Sequence, residues 1–185
     1  MNTLQTLLVM STLALAGCES MTVSECQVAD WGRVGFADAA RGVSESRLAA
    51  YAEDCGKAGI RPDPQAYRQG WDVGILRFCT AANGWREGVQ GNSSKAAVCQ
   101  GQPGDGVFVR YLDAGLQVHR TRERLHQSFA EASRLQKRLE ASTSDDEKKR
   151  LREELQGLDR EQFYLRSVLA QQQLMAPLKS GWQSP

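Results

Sequence analysis

The stretch "YRQGWDVGILRF", residues 67–78, sets glycine among large side chains at regular steps. Tyr67, Gly70, Trp71, Gly74, Ile75 and Phe78 share one face of an α-helix, because their spacing alternates between three residues and one. Val28, Trp31, Gly32, Gly35, Phe36 and Ala39 have the same steps, and Phe108, Tyr111, Leu112, Gly115 and Leu116 repeat most of them. A glycine inside a helix costs about 1 kcal/mol against alanine. Such a face is tolerable where the missing side chain admits a neighbouring backbone or ring. These faces therefore predict short helices packed at close approach, with Trp71 in that packing or lining an aromatic groove for a glycan or peptide. Gly70 and Gly74 also have the spacing of membrane helix dimers. Arg68, Asp72 and Arg77 around them argue against insertion.

The chain outward from this stretch is helical throughout. The β-friendly Val107-Phe108-Val109 runs straight into a helical pattern, so the expected class is all-α. Helices are predicted over 26–41 and 45–57, broken at Gly42 and Ser44. Another begins at Pro64, with Asp63 as its cap and Pro64 in its first position. The run "NGWREGVQGN", residues 83–92, is glycine-rich and reads as a turn-rich loop that exposes Trp85 as a candidate binding aromatic. The punctuation Gly101-Gln102-Pro103-Gly104-Asp105-Gly106 separates this region from a different composition. Beyond it Val118, Leu125, Ala132 and Leu139 recur every seven residues, with Phe129 and Leu135 between them. Leu151, Leu158 and Leu165 recur likewise, with Leu155 and Leu169 offset by four. Gln136 and Gln162 fall at seam-like places and soften the pattern. Ser144 with Glu147 three residues on forms a capping-box signature between the two runs. The expectation is two helices, 107–141 and 145–174, folded as an antiparallel coiled-coil hairpin about 50 Å long.

Near the N-terminus, residues 4–17 are uncharged and mostly apolar, and the run closes on Leu15-Ala16-Gly17 directly before Cys18. The run is shorter than the roughly 20 residues a spanning helix needs. It suits the core of an export signal, and its end resembles a bacterial lipobox, in which the cysteine thiol receives the lipid. No Lys or Arg precedes the apolar run, which departs from the usual lipoprotein signal. The resemblance implies cleavage before Cys18, acylation of Cys18 and membrane anchoring there. Glu19 rather than Asp after that cysteine implies the periplasmic face of the outer membrane, with the inner membrane as the alternative.

Lipidation of Cys18 would account for the odd cysteine. Cys26, Cys55, Cys79 and Cys99 remain, an even number that favours disulfides in an exported chain. Their long spacings, with no C-x-x-C pair, argue against zinc. Four cysteines allow three connectivities. Two antiparallel helices joined by a short turn bring Cys26 beside Cys55, and a doubling back of the 83–92 loop would bring Cys99 to Cys79. The expected domain organisation is a signal at 1–17, a lipidated tether at 18–24 and a disulfide-bonded helical region at 25–106. The hairpin follows at 107–175, and a loose tail at 176–185.

The succession Cys26, "ADWGRVGFADAARG", Cys55, "YRQGWDVGILRFCTAANGWREGVQG", Cys99 and "FVRYLDAG" resembles a family of proteobacterial lipoproteins. The likeness covers about residues 26–116. The family shares a Cys/aromatic/Gly-rich domain of unknown function, so the resemblance implies export and anchoring and assigns no catalytic residue.

Catalytic signatures are thin. His119, Glu123 and His126 share a helix face, and Glu123-x-x-His126 imitates half of a di-iron carboxylate motif. No second copy exists, so a solvated face is expected. Asp30 and Asp38 read as helix-surface charges. No Walker-type loop or G-x-S-x-G is present. A net charge of +1, with both signs interspersed, offers no field for nucleic acid. The expected function is a lipid-anchored, non-catalytic envelope protein whose coiled-coil arm meets an envelope protein or cell-wall component, with no metal or cofactor. The alternative is a glycan- or peptide-binding module, or an envelope enzyme, built around Trp71 and Trp85.

Overall fold

A computed structural model describes residues 20–177. It contains α1 (Val23–Val28), α2 (Trp31–Ala40), α3 (Arg47–Gly56), α4 (Pro64–Phe78) and α5 (Ala81–Val89). A 3-10 turn (Ser93–Lys95), α6 (Ala96–Cys99), α7 (Asp105–Ala141) and α8 (Asp145–Gln173) follow. No strand occurs among the described residues.

Glycine brings α2 and α4 into backbone contact. A Cβ on Gly70 would strike the Gly32 carbonyl, and one on Gly74 would strike that of Phe36. Both helices advance by four residues between these contacts, so they run parallel. The connection must therefore return along the pair, and α3 does so. A second pair repeats this arrangement. Gly84 of α5 lies against the Phe108 carbonyl and Gly88 against that of Leu112, so α5 and α7 also run parallel. The 3-10 turn and α6 supply the return. In the first pair Gly35 faces the Tyr67 carbonyl and the Trp71 amide. In the second, Gly84 faces the Phe108 carbonyl and the Leu112 amide. The base is thus two structurally similar units.

Each unit is closed by a disulfide. Cys26–Cys55 and Cys79–Cys99 both have Cα atoms 5.6 Å apart. In each, one cysteine precedes the first helix of the pair and the other ends the return segment. The units join where the Phe78 and Phe108 rings meet at 5.3 Å and where Lys95 Nζ donates to the Gly42 carbonyl at 2.7 Å. Tyr67, Ile75, Phe78, Phe108, Cys55 and Cys99 are fully buried in this core.

Three expectations about helix boundaries and caps change. The helix expected over 26–41 is two helices, because Ala29 is extended and the Asp30 carboxylate accepts from the Arg33 amide at 3.0 Å, starting α2 afresh. A complete capping box between Thr22 and Glu25 starts α1. The expected loop over 83–92 is largely α5. Its glycines are the face that meets α7, so tertiary contact repays their poor helix propensity. The third concerns Ser144, whose side chain accepts from the Glu147 amide while the Glu147 carboxylate turns to Ser142 Oγ and Arg138. The capping box is half made.

Helices α7 and α8 form the antiparallel hairpin, tied by Arg124–Glu161 and Arg138–Glu147, each 3.2 Å. The seam on α7 runs through Val118, Thr121, Leu125, Ser128, Ala132, Leu135 and Leu139, in alternating steps of three and four. On α8 it runs through Leu151, Leu155, Leu158, Gln162, Leu165 and Leu169. This register puts Ser128 inside and leaves Phe129, expected in the seam, exposed beneath the Arg166 guanidinium. Gln162 is buried as its spacing predicts, whereas Gln136 is exposed and donates to Glu140. Packing also crosses residue 106, since the first third of α7 belongs to the second glycine unit.

Candidate functional site

The described chain starts at an anchored point. The Ser20 amide and Oγ both donate to Asp54 Oδ2, at 2.7 and 2.6 Å. Lys57 Nζ donates to the other oxygen at 2.8 Å. The Lys57 ammonium and the Ser20 donors hold the Asp54 carboxyl far below the usual carboxylate range. Met21 Sδ lies 3.9 Å from Cys55 Sγ, against the first disulfide. Cys18 and the signal at 1–17 lie outside the described residues, as does the end of the expected tail, 178–185. The expected tether at 18–24 includes, from Ser20 onward, chain that is bonded to the base or helical.

Behind that point sits a buried carboxylate. Asp38 is 2% exposed, which corrects its reading as a surface charge. Its Oδ2 accepts from Tyr51 Oη at 2.9 Å and Tyr67 Oη at 3.0 Å, and its Oδ1 from Arg41 at 2.8 Å. Helices α2, α3 and α4 each contribute to this cluster. Burial, reinforced by the Asp38 carboxylate, pushes both phenols up, so each stays a protonated donor. Both oxygens are thus engaged in holding three side chains together. The cluster is suited to locking the return helix α3 between α2 and α4. The sequence did carry a signal for it, since Asp38 lies three residues beyond Gly35 on the stripe that includes Trp31. Asp30 has a separate role as the α2 cap.

The expected binding aromatics separate. Trp71 is 4% exposed, and its indole N–H donates to the Val43 carbonyl at 2.9 Å, which makes it a core residue. Trp85 is half-buried on α5, with its carbonyl against Gly115 of α7. The helix, not an open loop, presents it. His119 is half-buried against Gly91, while Glu123 and His126 are exposed. Among the described residues no group of three His, Cys, Asp or Glu side chains is placed to hold a metal ion. No described helix is long and apolar enough to cross a membrane.

A domain described as "Protein of unknown function (DUF2799)" covers residues 30–117. It starts at the cap of α2 and ends just past Gly115, the last glycine that lets α5 and α7 touch. The domain is thus the pair of glycine units, and the hairpin arm extends from it. No curated protein and no solved structure matches the chain.

Proposed function

We propose that this chain is a lipid-anchored, non-catalytic protein of the bacterial cell envelope, of proteobacterial lipoprotein type. Acyl chains on Cys18 hold it to the periplasmic face of the outer membrane. The stapled base carries the hairpin as an arm that meets another envelope protein or a cell-wall component. One observation carries this reading: four of five cysteines are consumed in two buried disulfides, and the fifth stands at the end of a Leu-Ala-Gly-Cys sequence. Disulfides persist in oxidising compartments, and a lipobox cysteine needs a free thiol before acylation. The arm reading draws support from α8, whose 29 residues are about 44 Å long, and from the exposed Phe163 and Tyr164 on it. The engaged oxygens of Asp38 and the burial of Trp71 favour a structural base over an enzyme or glycan site.

The test is intact mass of the protein extracted from cell envelopes, with and without Cys18→Ser. The expected mass begins at Cys18 and carries at least two acyl chains, since one alone binds only marginally. The variant should leave the membrane fraction or accumulate as precursor. A mature chain without any lipid increment would overturn the anchor.

A further inference from the structure

We propose that the base lies flush on its membrane, with the face carrying Val28, Phe36, Val73 and Leu76 against an anionic phospholipid surface. This rests on the lipid-anchor reading of Cys18. The leash is the first argument. Ser20 is bonded twice to Asp54, and Met21 packs on the core. Two residues of extended chain reach about 7 Å, so the acylated residue stays next to the base. A body held that close cannot hang away from the bilayer, and some face of it must meet the headgroups.

Surface continuity selects the face. A cavity of about 350 Å³ opens beside Ser20, with Glu25, Asp38, Arg41 and Tyr51 on its polar walls and Val34 and Ala37 on its apolar side. A wider trough shares those two residues and continues past Val28 and Phe36. An apolar trough therefore adjoins the polar cavity at the anchor point, with Val34 and Ala37 common to both. Val28 is 82% exposed, the highest value of any large apolar residue in the base. Across the trough, Val73, Leu76 and Arg77 lie on one outward face of α4, and the Arg77 guanidinium sits 5.2 Å from the Phe36 ring centre. Charge then selects the occupant. Arg33 and Arg77 form no ion pair among the described residues, whereas nearby Asp30 caps α2 and Asp72 faces Arg68. Guanidiniums over an apolar patch suit an interface in which side chains meet acyl tails and cations meet phosphates.

Photocrosslinking of the full, lipidated chain tests this. The photoreactive p-benzoylphenylalanine is placed at Val28, at Leu76 or, as a control, at Phe163 of the arm. The protein is reconstituted into vesicles of phosphatidylethanolamine and phosphatidylglycerol. Lipid adducts at Val28 and Leu76 should exceed those at Phe163 at least tenfold. They should fall severalfold when phosphatidylcholine replaces phosphatidylglycerol. Asp54→Ala, which frees Ser20, should lower them while acylation is retained. Equal labelling at all three positions, or no lipid adduct at Val28 and Leu76 in protein whose mass includes acyl chains, overturns the flush contact alone. A mass without acyl chains overturns the anchor reading and this proposal together.

Discussion

Asp38 accepts three hydrogen bonds in a place where water scarcely reaches it. Removing it in Asp38→Ala strands two buried phenol hydroxyls, each costing about 1–3 kcal/mol. The variant should lose about 2–6 kcal/mol in urea unfolding. Tyr67→Phe should lose less, about 1.5–3 kcal/mol, because only one donor to a charged acceptor disappears. The pH dependence has two ends. Tyr51 and Tyr67 have pKa values raised above that of the unfolded chain, so their contribution is complete below about pH 10. It is lost as pH rises further, and phenolate absorbance should report both rings ionising together with unfolding. Asp54 has the opposite sign. Its pKa is depressed, so the Ser20 clasp is intact above the unfolded carboxylate value and weakens as pH falls below it. Exchange of the Ser20 amide with deuterium, corrected for intrinsic rate, should lose protection at acid pH.

At the scale of elements, glycine substitutions separate propensity from packing. Gly157 of α8 has open space where a Cβ would sit, so Gly157→Ala should raise stability by about 1 kcal/mol. Gly84→Ala has the same propensity gain but drives a methyl into the Phe108 carbonyl of α7. It should lower the melting temperature, with a net loss of about 1–3 kcal/mol from forced separation of the helices. Equal stabilisation by both substitutions would disprove the close approach. The hairpin seam holds its own contrast. Ser128 Oγ and Gln162 Nε2 are buried without a hydrogen-bond partner. Gln162→Leu should therefore stabilise the arm by about 1–3 kcal/mol, measured by thermal unfolding. Polar seam positions of this kind fix register at a cost in stability.

At the scale of the whole molecule, the second stapled unit and the arm share a single helix, α7, and the first unit joins them through the Phe78–Phe108 contact. The Cys79–Cys99 bridge stands at the junction, and Gly104, with φ of 93°, turns the chain against the Cys79 carbonyl to begin α7. A double Cys79→Ala, Cys99→Ala variant should lose about 3 kcal/mol, in keeping with a closed loop of this length. Peptide mapping without reductant should recover Cys26 linked to Cys55 and, in the unmodified chain, Cys79 linked to Cys99. A Cys55–Cys79 peptide would contradict the two-unit arrangement. Because α8 packs mainly along α7, substitutions in its seam should change the melting of the arm and leave both bridges in place.

Local physics made much of this legible in sequence. Heptad spacing placed α7 and α8 within two residues, because a seam of regular period needs no outside contact to define it. Asp63 before Pro64 marked the start of α4, because a cap acts within its own turn. The steps of three and one predicted the packed faces of α2, α4 and α7, except for Val28, which ends α1 and is exposed. What only the tertiary structure decided depends on neighbours distant in sequence. The run from Gly84 to Gly88 is a weak helix in isolation and a good one against α7, since its missing side chains admit the facing backbone. Asp38 is costly to bury alone and satisfied once Tyr51 and Tyr67 arrive from two other helices. Residue spacing can state which face a side chain takes, but the partner that makes burial favourable exists only after the chain has folded back on itself.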